Sequence, residues 1–141
     1  MVRIILAVIV GFLVWTILWL GSEEVLSMIF PDWFGAHQIA FKKASFNNTP
    51  FWVEDTSILI WNVVRGAVVT IISGYVAALI AGEHKTSTRV LGVCLLLFGL
   101  FIVFVTWAMI PIWYHALFSL MLIPLTILGG RLKTFANSTV T

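Results

Sequence analysis

Apolar residues come in four long runs, at 4–20, 58–81, 90–110 and 112–129, and polar residues gather between them. None of the runs alternates with a period of two, as a membrane-spanning strand does. A helix needs about 20 residues to cross the hydrocarbon core, and lipid offers no partner for unpaired backbone groups. The pattern predicts an all-α membrane protein with four transmembrane helices in a bundle. As one domain over 1–141, it places spans at about 3–22, 57–81, 89–110 and 112–130. The first run has room to continue helically past Glu23 and Glu24 until Pro31 stops it. Arg3 ahead of an apolar run resembles a signal peptide, but the run is long and no small-x-small site follows, so an uncleaved first span is expected. Pro124 predicts a bend in the fourth span, with Thr126 or a neighbouring helix covering the freed carbonyl.

The stretch between the first two spans, about 23–56, is different in kind. It holds Glu23, Glu24, Asp32, Glu54 and Asp55, the cations Lys42 and Lys43, and the aromatics Phe30, Trp33, Phe34, Phe41, Phe46, Phe51 and Trp52. That aromatic density predicts a loop lying at a membrane interface. With an even number of spans, Arg3, Lys85, Arg89, Arg131 and Lys133 share one side, and most of the acids sit on the other. The positive-inside rule then makes both termini cytoplasmic and the aromatic loop extracytoplasmic.

Composition agrees with this class. The chain is 61% hydrophobic and 10% charged, with a mean hydropathy of +1.09. A formal charge of +2 without a basic cluster argues against nucleic acid as a partner. A single cysteine, Cys94, excludes an internal disulfide.

The second span carries two signals. Gly66, Thr70, Gly74, Ala78 and Gly82 recur every fourth residue and form a ridge of small side chains. Such ridges let helix backbones approach closely in lipid, whether inside a bundle or against another subunit. The same span carries Asn62 and Arg65 within its apolar run. A buried arginine at mid-bilayer costs on the order of 3 kcal/mol on insertion scales, so company is expected. Spacing from the span ends puts Arg65, Trp107 and His115 at similar depth, with Glu23 and Glu24 just beyond. The candidate binding cluster is therefore Arg65, Asn62, Glu23, Glu24, His115 and Trp107. Arg65 serves as a structural ion pair between the first two spans or as the recognition group of a pocket; a proton or ion pathway is disfavoured, because no ionisable residue continues it through the inner half.

No catalytic residue, metal set or cofactor is called for. The histidines are scattered, and no phosphate loop, HExxH or GxSxG pattern occurs. The expectation is a non-enzymatic accessory or structural membrane protein. Its expected partners are membrane lipids and other membrane subunits or copies of itself. The alternative is a small transporter, or a binder of lipid or anionic solute, with an outer-leaflet pocket around Arg65.

The segments AVIVGFLVWTILWLG, SGYVAALIAG and PIWYHALFSLMLIPLTILGGRLK together resemble a group of uncharacterised short four-span bacterial membrane proteins. The resemblance covers all four spans but not the loop in detail, and its most specific part is 113–132. It implies a bacterial inner-membrane protein of four helices and transfers no catalytic residue.

Overall fold

The computed structural model describes residues 1–53 and 55–140; Glu54, counted above among the loop acids, and Thr141 lie outside them. The described residues form α-helices and no strand. The helices are α1 (Val2–Ile29), α2 (Ala36–Asn47), α3 (Thr56–Ala81), α4 (Thr86–Thr106) and α5 (Ile112–Val140). A π-helical turn, Pro31–Gly35, joins α1 to α2. Among the described residues, α1, α3, α4 and α5 are long and apolar enough to cross a membrane.

The helix ends follow local chemistry. Pro31 closes α1, and the Asp55 carboxylate caps α3 by accepting from the Ser57 backbone N–H at 2.9 Å. Gly82 ends α3 in the left-handed region at φ 74°, a conformation that favours glycine. The Glu83 carboxylate then accepts from the backbone N–H groups of Lys85, Thr86 and Ser87 at the start of α4. Burial of Glu83 works against its charge, yet these hydrogen bonds outweigh it and hold the carboxyl below its usual range.

Three boundaries differ from the sequence reading. The stretch at 23–56 is not simply a loop. α1 runs on past Glu23 to Ile29, the continuation ahead of Pro31 that the sequence left room for, and α2 forms a further helix that it did not announce. α4 ends at Thr106 rather than near 110, because the chain turns ahead of Pro111, with Met109 N–H donating to the Thr106 carbonyl. α5 continues well past 130, and its Lys133 donates to the Ala78 carbonyl at 3.0 Å near the end of α3. The helix also runs on through Pro124. Thr126 donates to the Leu122 carbonyl at 2.6 Å, not to the Leu120 carbonyl that the proline leaves without its usual donor.

α3 is the central element, in contact with α5 and α1 most extensively and with α4 less. Its small residues allow this. A Cβ placed on Gly74 would fall on the Thr126 carbonyl oxygen, and one on Gly129 of α5 would fall on the Ile71 carbonyl oxygen. The α3 and α5 backbones are therefore in direct contact. On the opposite side, Gly11 of α1 fits against Leu91 and Ala77. Ala7, Trp15, Val69, Ala77, Leu91, Leu95 and Leu122 form the buried apolar core. Of the predicted ridge, Gly66, Thr70, Gly74 and Ala78 are buried, whereas Gly82 is exposed and serves as the helix cap.

Candidate functional site

The helices pack differently at the end where α3 begins. Here the second half of α1, the start of α3, the end of α4 and the start of α5 surround a cavity of about 460 Å3, with α2 on a further side. Trp15, Trp19, Phe41, Phe98, Tyr114 and Phe118 give it aromatic walls. Its polar lining includes Glu23, Asn62, Arg65, Thr106, His115, His37 and Gln38.

Arg65 is the centre of this lining. It is only 7% exposed, and its guanidinium lies over the Trp19 ring at 4.1 Å, with Phe34 at 5.5 Å. These are cation–π distances. Its Nη2 donates to Asn62 Oδ1 at 3.0 Å, one helical turn away on α3. Its Nη1 reaches the Trp19 carbonyl and Ser22 Oγ at 3.4 and 3.5 Å, the weak limit of hydrogen bonding. Glu23 Oε2 is 4.0 Å from Nη2. Arg65 Nε has no hydrogen-bond partner among the described residues. A guanidinium carries five N–H donors in a fixed fork, and here one of them makes a hydrogen bond of ordinary length.

Glu23 explains the slack. Its other oxygen, Oε1, is 3.0 Å from Lys42 Nζ on α2. That hydrogen bond raises the Lys42 ammonium above its ordinary range. Glu23 thus leans toward α2 and away from Arg65, and one carboxylate serves two cations.

The remaining predicted residues divide. His115 is buried, lines the cavity and stacks on Trp107 at 5.9 Å. Its Nε2 has no partner among the described residues. Trp107 itself is 56% exposed and outside the cavity wall. Glu24 is exposed too, and its contact is Lys42 at 3.6 Å rather than Arg65. The structure therefore brings Arg65, Asn62, Glu23 and His115 around one space, and places Glu24 and Trp107 at its periphery.

Several neighbours escaped the sequence reading. Trp15, Trp19 and Glu23 stand at successive four-residue steps of α1, a visible stripe that points at the second span. Lys42, Gln38 and His37 had no such signal, because their helix was read as loop. The aromatics of that stretch also split: Phe34 is fully buried near Arg65 and Phe41 lines the cavity, while Phe46 and Trp52 stay exposed. Burial pushes the His37 imidazole down from its ordinary value, with Asp55 opposing. Asp55 is itself held low by the Trp33 indole, which donates to it at 2.7 Å and ties the π-turn to α3.

Comparison with protein-family models, curated proteins and solved structures gives no significant match, so the site is argued from its own geometry.

Proposed function

We propose that the protein is a multi-pass membrane protein that binds an amphiphile with an anionic or acceptor-rich head in the cavity beside Arg65. The observation that supports this most is a buried guanidinium whose Nε finds no partner among the described residues, on the wall of a cavity of about 460 Å3. Ligand sites are typically concave, mostly apolar, and furnished with a few convergent polar groups. Buried polar groups are normally paired, and a cation in a bilayer more than most. The aromatic walls suit an apolar body, and Arg65, Asn62 and His115 suit a polar head.

In this reading the four long helices form a bundle in a bacterial inner membrane, as the resemblance of its spans implies. The termini are cytoplasmic, following the basic residues Arg3, Lys85, Arg89, Arg131 and Lys133. The cavity then opens in the outer leaflet, capped by the aromatic stretch and α2. An accessory role within a larger assembly has less support. The small-residue ridge that would dock a partner faces α1 and α5 instead.

Native mass spectrometry of gently solubilised protein tests the proposal. Wild type retains a bound amphiphile, and Arg65→Ala loses it while keeping its helical content. If Arg65→Ala instead fails to insert stably, Arg65 is a structural pin between α1 and α3, and the accessory reading takes precedence.

A further inference from the structure

We infer that the ligand head is a single carboxylate and that Glu23 is its internal competitor, kept off Arg65 by Lys42. This rests on the cavity being a binding site, as proposed above, and adds what the site selects and how it is tuned.

Charge comes first. Among the described lining residues Glu23 is the one acid and Arg65 the one permanent cation. Glu23 is closer to Lys42, at 3.0 Å, than to Arg65, at 4.0 Å. Arg65, Lys42 and Glu23 together leave one positive charge. Lys42 and Glu24 have side chains 49% and 64% exposed, where solvent and salt screen both, so at most one positive charge is left at Arg65. A monoanion balances this set. A phosphate monoester, at about −1.5 to −2 near neutral pH, exceeds it.

Geometry comes second. The guanidinium fork matches the two oxygens of a carboxylate. Asn62 takes one N–H at 3.0 Å, Nε is unpaired among the described residues but enclosed, and the Nη1–Nη2 edge otherwise keeps only loose contacts at 3.4, 3.5 and 4.0 Å. A ligand carboxylate at that edge replaces the loose contact of Glu23, which keeps its stronger partner on α2. No proton or bond is exchanged; one ion pair replaces another.

Size comes third. The cavity of about 460 Å3 lies within the usual range of small-ligand pockets and accommodates one medium chain or a ring system. The apolar walls contributed by Trp15, Phe98 and Phe118 fit such a body.

The test uses the full chain in lipid nanodiscs at mildly alkaline pH, with empty nanodiscs as reference. Quenching of tryptophan fluorescence reports binding of dodecanoate, dodecanol and dodecyl phosphate. Dodecanoate binds tighter than dodecanol by about tenfold or more, the factor that one charge-assisted pair supplies, and tighter than dodecyl phosphate. Glu23→Gln raises dodecanoate affinity several-fold and Lys42→Met lowers it. Equal binding of acid and alcohol, preference for the phosphate, or a fall in affinity in Glu23→Gln overturns the inference while leaving the binding site standing. Absence of binding by all three overturns the site itself.

Discussion

Where α3 meets the second half of α5, the two backbones touch. Gly74 lies on the Thr126 carbonyl and Gly129 on that of Ile71. The polar side chains there are spent on backbone carbonyls, as with Ser73 on Val69, Thr126 on Leu122 and Lys133 on Ala78. At the other end of the same helices large aromatic rings hold the backbones around a cavity, and Arg65 Nε and His115 Nε2 have no partners among the described residues. Both ends use polar residues on an apolar helix, but for opposite results. Small residues close the gap and let each hydroxyl reach its own backbone. Bulky residues hold it open and leave polar atoms unpaired in its wall. In lipid, where apolar burial gives little drive between helices, the closed end supplies the rigidity that an open end needs.

Substitution sharpens the contrast. The largest effect is expected at the closed end. Gly129→Leu or Gly74→Leu places a side chain on a backbone carbonyl that has no freedom to move, and overpacking of this kind costs roughly 3 kcal/mol or more. Thermal unfolding in mild detergent checks it; a variant as stable as wild type would show that the backbones are not in contact. At the open end Arg65→Ala costs about 1.5–3 kcal/mol of ligand affinity, the range for hydrogen bonds to charged groups, with much less effect on unfolding. If stability falls as steeply as for Gly129→Leu, the two ends do not differ in kind.

A smaller effect is expected beyond the closed end, at Glu83. Its folded-state pKa is depressed, so its contribution is present above the usual carboxylate range and is lost as pH falls through the depressed value. Glu83→Gln costs about 1 kcal/mol near neutral pH, comparable to loss of a helix cap. The gap from wild type closes below about pH 4, and a pH series of melting temperatures reads it directly. The smallest effect belongs to Gly21, which has nothing within 4 Å of an added Cβ. Gly21→Ala is neutral or stabilising by roughly 0.5–1 kcal/mol, the helical preference of alanine over glycine. A large loss there would mean that α1 packs against something not seen here.

The four long helices were legible because their runs are long and apolar, and lipid permits little else. Arg65 and Asn62 stood out for the same reason, as polar residues within such a run. What stayed hidden was carried by α2. Its composition is polar and aromatic, with no apolar stripe to announce a helix, so Lys42 and His37 had no assigned place. Without Lys42, the pairing of Glu23 could only be guessed as a contact with Arg65. Trp107 and Glu24 were drawn in by their depth along the helix, but depth does not fix the direction in which a side chain points. The end of α4 was misplaced because the run of apolar residues continues to 110 after the helix has stopped at Thr106.

The most direct measurement is the NMR signal of the Arg65 guanidinium N–H groups, recorded as dodecanoate and then dodecanol are added to the protein in nanodiscs. The account predicts a downfield shift that saturates with dodecanoate and is absent with dodecanol. An Arg65 signal that stays in place while dodecanoate saturates the tryptophan fluorescence would contradict it.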